Sequence, residues 1–174
     1  LEGIHRACLA HGIEFVEEGV LKKRHEIRVL QGQQGFWDFY DDVYDTVREH
    51  GGEILVSNVD EGLFIRWLGD KKNDHRERMS QLDNFQLKII IREGDANFAT
   101  DFAPPQYRWV SQEEFAPASF YLYGPKLAMI IFKKEDVSVF VIDHPEITQS
   151  YRALFMAVWE KAKIPSNAKH SKAR

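Results

Sequence analysis

The sequence predicts an α/β protein whose core is a mixed sheet of about six strands flanked by helices. Two segments with helical apolar periodicity stand near the ends of the main domain, one after Gly35 and one after Asp143. Between them, two strand candidates are separated by a helical stretch, which is typical of parallel pairing. Four more strand candidates follow, and the short turns between them favour antiparallel pairing.

The bulk properties indicate one soluble domain of a reducing compartment. A chain of 174 residues with 44% hydrophobic residues can bury a real core, and its net charge of −4 disfavours DNA contact by this segment. The single cysteine, Cys8, excludes an internal disulfide. No apolar run approaches the roughly 20 residues of a membrane span, so a cytoplasmic location is expected.

Residues 1–30 are interpreted as a connector. Ile4, Ala7 and Cys8 have helical spacing before Gly12, and two short strands are predicted within residues 13–24. These elements are too small to hold a core by themselves. The main domain is predicted at residues 31–164, and the polar, basic residues 165–174 are predicted to be a disordered tail.

The first main helix has one apolar and one acidic face. The apolar stripe consists of Phe36, Phe39, Tyr40, Val43 and Val47. The acidic face consists of Asp38, Asp41, Asp42, Asp45 and Glu49. A solvated face is the favoured interpretation, with a cation site or partner surface as the alternative. Gly51-Gly52 ends this helix.

A βαβ unit follows. A short buried strand is predicted at 53–57, a polar helical stretch around 60–82 with breaks near Gly69 and Asn73, and a strong β-branched strand at 85–92. Such crossovers are right-handed and their strands are parallel. The loop 94–105 is long for a compact domain, which favours a functional or mobile segment.

The second half contains four predicted strands, at 107–110, 119–123, 126–132 and 137–142. Gly124-Pro125 and Lys133–Asp136 supply tight hairpins, so this half is predicted to be antiparallel. Asp143 then caps a helix that Pro165 ends. Its predicted buried stripe is Ile147, Tyr151, Leu154, Phe155, Val158 and Ala162.

Familiar catalytic and metal motifs are missing from the sequence. It has no His-x-x-x-His or Cys-x-x-Cys spacing, no phosphate-binding glycine loop and no nucleophile elbow. The sequence therefore predicts neither a metal site nor a cofactor.

Polar residues at strand ends give the candidate site. Ser57 and Arg92 end the two parallel strands, and ligands of open sheets bind beyond such ends. Arginine can bind an anion with a bidentate fork, although an exposed turn explains Arg92 equally simply. The aromatic residues could instead be core, and Lys126 could merely flank its strand. The predicted ligand-binding residues are Ser57, Arg92, Arg108, Tyr123 and Lys126.

Part of the sequence resembles a known regulatory domain. The resemblance covers roughly residues 30–163 and rests on the Tyr123-Gly-x-Lys126 hairpin before an apolar strand and on the closing Phe155-x-x-x-Trp159 helix. This stretch is similar to the C-terminal, phospholipase D-like effector domain of TrmB-type regulators. Residues 1–23 resemble the segment that follows the DNA-binding helices in regulators of the Cro/phage-repressor class. The DNA-binding headpiece itself is then expected to be absent from this chain.

The resemblance implies a sensing and dimerisation domain and argues against catalysis. The phospholipase D signature is His-x-Lys-x-x-x-x-Asp, with histidine as nucleophile. With Lys126 at the lysine position, the histidine position is Gly124 and the aspartate position is Ile131. The His75 segment has Glu77 and Leu82 at the corresponding positions.

The expected partners are a second copy, a small polar or anionic effector, and DNA only through the missing headpiece. Two alternatives remain open at this point. One is a phosphodiesterase or nuclease with rearranged catalytic residues, and the other is a ligand-free assembly module.

Overall fold

A computed structural model describes residues 13–15, 21–23, 26–95 and 106–165, with only the backbone of the first two segments. The helix predicted before Gly12, most of the loop 94–105 and most of the tail lie outside the described residues. The strands are β1 Ile13–Phe15, β2 Leu21–Lys23, β3 Glu26–Gln31, β4 Gly52–Val59, β5 Phe85–Arg92, β6 Gln106–Val110, β7 Ser119–Tyr123, β8 Lys126–Phe132 and β9 Val137–Asp143. The helices are α1 Gly32–His50, α2 Glu61–Leu68, α3 Lys71–Ser80 and α4 Pro145–Trp159.

The main sheet is mixed, as predicted, and has seven strands in the order β3-β9-β8-β7-β4-β5-β6. The seventh strand is β3, which pairs with β9 at one edge and lies in the stretch interpreted as a connector. The predicted parallel pair β4–β5 and the antiparallel strands β7, β8 and β9 are confirmed. The antiparallel prediction is wrong for β6, which runs parallel to β5. The short strands β1 and β2 form an antiparallel pair.

Helices cover the two faces of the sheet unequally. On one face α1 packs on β9, β3 and β7, and α2 and α3 pack beside α1. On the other face α4 packs on β8, β7 and β4. Alternation along the strands sends one set of apolar side chains to each face. Val56 and Ile89 belong to the α1 face, and Leu55 and Ile90 belong to the α4 face.

Two of the predicted helices begin or end elsewhere than expected. The polar stretch breaks at Gly69, which has φ of +54°, but α3 continues through Asn73. The closing helix begins at Pro145 after His144, so Asp143 is the last residue of β9 and not the cap. No helix of the described residues is long and apolar enough to cross a membrane.

The buried faces of the two long helices follow the apolar pattern to different degrees. In α1 all five residues of the predicted stripe are buried. On its acidic face, Asp38 and Asp45 are exposed, but Asp42 is not. In α4 the prediction is only partly right. The exposed members of its stripe are Ile147, Leu154 and Val158.

Candidate functional site

Lys126, the first residue of β8, is held against α1 by an ion pair. Its Nζ donates to Asp42 Oδ1 at 2.6 Å and to Thr46 Oγ1 at 3.1 Å. Asp42 and Thr46 are four residues apart on α1, so their side chains face the same point. The Gly124-Pro125 turn between β7 and β8 positions Lys126 opposite them.

Two more groups bind Asp42. The phenol of Tyr123 donates to Asp42 Oδ2 at 2.8 Å, and Arg28 Nη2 lies 3.0 Å from the same oxygen. Burial would raise the pKa of Asp42, but the hydrogen bond and charge of Lys126, with those of Tyr123 and Arg28, lower it below its ordinary 3.8. Asp42 is therefore ionised at neutral pH. The prediction that it belongs to a solvated acidic face is wrong.

The charges of this cluster are compensated within the protein. Lys126 and Arg28 share Asp42, and the Oε1 atom of Glu26 lies 4.0 Å from Arg28 Nε. The side chain of Lys126 is 16% exposed and that of Asp42 is 17% exposed. An anionic ligand would have to displace Asp42 to reach the ammonium group. The arrangement is that of a structural ion pair.

A side chain at the position that corresponds to the signature histidine would be strained in this backbone. Gly124 has φ of +52°, and a Cβ placed there would lie 2.7 Å from Thr46 Cγ2. Ile131, at the aspartate position, is an odd number of residues from Lys126 along β8 and so lies on the other face of the sheet. The signature lysine therefore has no nucleophile or acid partner at the spacing that the motif requires.

The other three predicted ligand residues lie on the α4 face. Ser57 is buried and pairs with Phe120, whose side chain packs with the α4 cluster. The guanidinium of Arg92 lies 5.7 Å from the ring centroid of Phe115, and that of Arg108 lies 4.9 Å from the ring of Trp159. Ser57 and Arg92 are at the carboxyl ends of their strands.

The five predicted residues thus form two groups and do not line one crevice. Tyr123 and Lys126 lie on the α1 face, near the end where β4 begins, because Ile54 of β4 pairs with Tyr123. Ser57, Arg92 and Arg108 lie across the sheet. Ligand binding by either group stays a prediction.

A buried acid that the sequence interpretation missed lies beyond the carboxyl end of β4. Glu61 opens α2, is 8% exposed, and accepts a hydrogen bond from the Tyr107 phenol at 2.9 Å. Burial raises its pKa from 4.5 to about 7, opposed by the bond from Tyr107 and reinforced by Asp95 and Asp60. The available signal was the pair of acids Asp60-Glu61, which directly follows the parallel strand β4.

Aromatic side chains lie near both Glu61 and the partly buried His75. The hydroxyls of Tyr40 and Tyr121 are 3.3 Å apart, and burial raises the pKa of both. The ring of His75 meets Tyr40 edge-on at 4.6 Å between centroids. Burial, with the charge of Arg78, lowers the pKa of His75 to about 4, so this histidine is neutral at pH 7.

The pocket beside His75 is small. It is lined by Trp37, Tyr40, Asp41, Leu68, Lys71, Asp74, His75 and Arg78. Its volume of about 10 Å³ is what one water molecule requires. No group of three or more histidine, cysteine or acidic side chains within the described ranges is placed to hold a metal ion. The pocket is too small for a metabolite.

The seven-stranded mixed sheet with helices on both faces has a phospholipase D-like fold. TrmBL2, an archaeal chromatin protein described with a novel mode of DNA binding, is similar over 94% of this chain at 13% identity and a TM-score of 0.51. This chain spans 60% of the length of TrmBL2.

Two bacterial structures are similar over their whole length. NucT from Helicobacter pylori matches over 82% of this chain and 100% of its own, at 6% identity and a TM-score of 0.56. Nuc from Salmonella typhimurium, a phospholipase D family member, matches over 82% and 99%, at 12% identity and a TM-score of 0.53. No protein-family description and no curated protein matches the sequence. At these identities the likeness establishes the fold.

Proposed function

We propose that this chain is a non-catalytic sensing and assembly domain of a DNA-binding transcription regulator. The observation that carries the proposal is the Lys126 cluster. Its lysine is neutralised by Asp42, and its histidine position is a left-handed glycine pressed against Thr46. A phosphodiesterase of this class needs a lysine that is accessible to the substrate phosphate and a nucleophile at the histidine position. The likeness to TrmBL2, a protein described as binding DNA, supports the regulatory context.

The sensing role is assigned to the group on the α4 face. Arg92 is exposed at the carboxyl end of β5, and Arg108 lies one strand away on the same face. Two guanidinium groups near a parallel strand end can bind a phosphate or carboxylate. DNA contact is assigned to another part of the regulator, because this chain has a net charge of −4.

Thermal shift against sugar phosphates, nucleotides and inorganic anions tests this proposal. A ligand at about 100 times its Kd stabilises the folded state by about 2.7 kcal/mol, which raises Tm by several degrees. We expect the shift to disappear in Arg92→Ala and Arg108→Ala and to persist in Lys126→Met. The exposed Lys133→Ala provides the matched control for loss of a surface charge. A panel without any shift would contradict the sensing role.

The second candidate is a phosphodiesterase, favoured by the match to 99% of the length of Nuc. It predicts turnover of a chromogenic phosphodiester that is lost in both Lys126→Met and His75→Ala. The non-catalytic proposal predicts no turnover above that of the buffer. Turnover that depends on Lys126 would overturn it.

A further inference from the structure

Two arginines on the α4 face have no acidic partner. Four other arginines of the described residues each pair with a carboxylate at 3.1 Å or less: Arg28, Arg48, Arg78 and Arg152. Within the same described ranges, no carboxylate lies at ion-pair distance from Arg92 or Arg108. Arg108 is half-buried, and a charge removed from water normally has a partner of opposite charge. The two guanidinium groups therefore retain donors for an anion from outside the protein.

The sheet places these two arginines close together. Ile90 pairs with Arg108, and Arg92 pairs with Val110, along the parallel strands β5 and β6. Paired residues share a face, and every second residue of a strand returns to it. The four side chains thus form a rectangle with the arginines on one diagonal and the buried Ile90 and Val110 on the other. Strand spacing and rise put the Cα atoms of the arginines about 8 Å apart.

An aromatic ring lies over each guanidinium group. The distance to the ring centroid is 5.7 Å between Arg92 and Phe115, and 4.9 Å between Arg108 and Trp159. A ring against the flat side of a guanidinium fixes its plane and leaves the N–H donors at its edge available. We call these two ring-covered guanidinium groups the forks.

Both rings are held in place by the protein itself. The segment that carries Phe115 is tied to the end of β4 by Asn58. The Asn58 amide donates from Nδ2 to the Ala118 carbonyl at 3.3 Å and accepts from the Ala116 N–H at 3.2 Å. Trp159 is 7% exposed in the core on the α4 face. The forks are therefore positioned before any ligand arrives, which reduces the entropic cost of binding.

Two acids of the neighbouring segments are bound elsewhere. Glu93, the residue after β5, accepts from Lys163 Nζ at 2.8 and 3.0 Å. Glu114 accepts from the backbone N–H of Ser111 at 3.1 Å and from its hydroxyl at 2.9 Å. The forks thus differ from Lys126, whose charge is compensated by an aspartate within hydrogen-bond distance.

We propose that the ligand of this site is a small dicarboxylate, with one carboxylate on the fork of Arg92 and the other on the fork of Arg108. A guanidinium edge matches a carboxylate in a bidentate pair. The two sheet positions between the forks are the apolar Ile90 and Val110, so a methylene spacer loses no hydrogen bond there, whereas a hydroxylated spacer would. The proposal names the ligand class of the sensing site proposed above and rests on that function.

Isothermal titration calorimetry of the full chain with glutarate and adipate tests the proposal. The monomethyl ester of each acid is the matched ligand, because it has the same spacer and a single carboxylate. Inorganic phosphate is the second comparison, because it carries its charge on a single group. Chloride salt keeps the ionic strength equal in all titrations, since screening weakens every exposed ion pair. We expect at least one dicarboxylate to bind about tenfold more tightly than its monoester and than phosphate.

Substitution of either fork should remove this preference. Arg92→Gln and Arg108→Gln should each lower the dicarboxylate affinity about tenfold, to that of the monoester, and lower the monoester affinity only about twofold, because one fork remains. Arg108→Lys keeps the charge without the planar fork and should also lose the preference. Arg66→Gln is the matched control, because Arg66 is exposed on α2 and has no carboxylate partner within the described residues. Arg92 is exposed, so Arg92→Gln tests the proposal even where Arg108→Gln lowers Tm.

Four outcomes would overturn the dicarboxylate proposal. Equal affinity for dicarboxylate and monoester, lost in Arg92→Gln, would contradict the two-carboxylate ligand and leave the sensing role in place. Phosphate binding as tightly as either dicarboxylate would do the same. A preference for dicarboxylate that survives both glutamine substitutions would contradict the location. Absence of binding by both dicarboxylates would contradict the ligand class, and it would contradict the sensing role as well only if the whole anion panel of the thermal-shift experiment is also without effect.

Discussion

Asp42 and Glu61 are both largely removed from water, yet their pKa values move in opposite directions. Asp42 is bound by Lys126, Arg28 and the Tyr123 phenol, and its pKa is lowered. Glu61 is bound by the Tyr107 phenol, with further acids nearby, and its pKa is raised to about 7. Burial acts in the same direction on both. The presence of directly bound cations decides the sign.

The two acids therefore affect stability in different pH ranges. Asp42 has a lowered folded pKa, so its contribution is present above about pH 4 and is lost as the pH falls below that value. Glu61 has a raised folded pKa, so stability falls as the pH rises from 4.5 to about 7 and is constant beyond. At neutral pH one acid stabilises the fold and the other destabilises it.

Removing the cation from the Asp42 cluster should give the largest effect. Lys126→Met leaves a carboxylate of low exposure with an incomplete set of partners, which costs about 3–5 kcal/mol in the free energy of unfolding. The midpoint of urea unfolding at neutral pH measures the loss. Lys133→Met, in an exposed turn, should stay within about 0.5 kcal/mol of the wild type. Partial recovery in the double variant Asp42→Asn/Lys126→Met would confirm that the charge is responsible, and an unchanged midpoint in Lys126→Met would contradict the cluster.

Neutralising Glu61 should raise the free energy of unfolding. Glu61→Gln keeps an oxygen for Tyr107 but cannot ionise, so it should gain up to about 3 kcal/mol over the wild type between about pH 5 and about pH 8. The lowered pKa of His75 gives the opposite slope below pH 6.5. For this reason the quantity to measure is the difference between variant and wild type at each pH. A difference that does not change with pH would contradict the raised pKa.

The third largest expected effect is a loss of stability from a substitution in the turn that positions Lys126. Gly124→Ala places a Cβ at φ of +52° and 2.7 Å from Thr46 Cγ2, which we expect to cost about 2 kcal/mol. Thr46→Ser removes that methyl group and keeps the hydroxyl that binds Lys126. The alanine should therefore cost less in a Thr46→Ser background. Equal cost in both backgrounds, measured by urea unfolding, would show that the contact is not the cause.

The smallest expected loss of stability comes from removing either of the two phenol hydroxyls that bind a carboxylate. Tyr123→Phe and Tyr107→Phe each remove one hydrogen bond to a carboxylate and should cost about 1 kcal/mol. The loss in Tyr123→Phe should already be complete at pH 5, whereas the loss in Tyr107→Phe should grow up to about pH 8 as Glu61 ionises. Unfolding curves at the two pH values distinguish the sites. The same pH dependence in both variants would contradict the comparison.

Local sequence patterns were sufficient for most of the fold but not for its edges. The α1 stripe and the strand Phe85–Arg92 have strong periodicity, and both are confirmed. The edge strand Glu26–Gln31 was missed because its alternation covers only Ile27 and Val29, too short a pattern to distinguish a strand from a connector. The direction of β6 depends on the path of a long loop, which turn residues do not encode.

The site was harder to predict because it depends on strand direction. Lys126 and Arg92 both stand at strand termini, but Lys126 begins an antiparallel strand and Arg92 ends a parallel one, so they lie far apart in the sheet. Asp42 was assigned to water because its neighbours on α1 are acidic and exposed. Only the tertiary contact with β3 and β8 brings cations to that single position.

The left-handed turn at Gly124 also has an evolutionary consequence. A histidine at this position would require a different backbone angle and a smaller residue in place of Thr46. Either change alone would weaken the turn before any benefit could follow. A histidine at residue 124 therefore needs at least two coordinated substitutions, with a less stable intermediate between them.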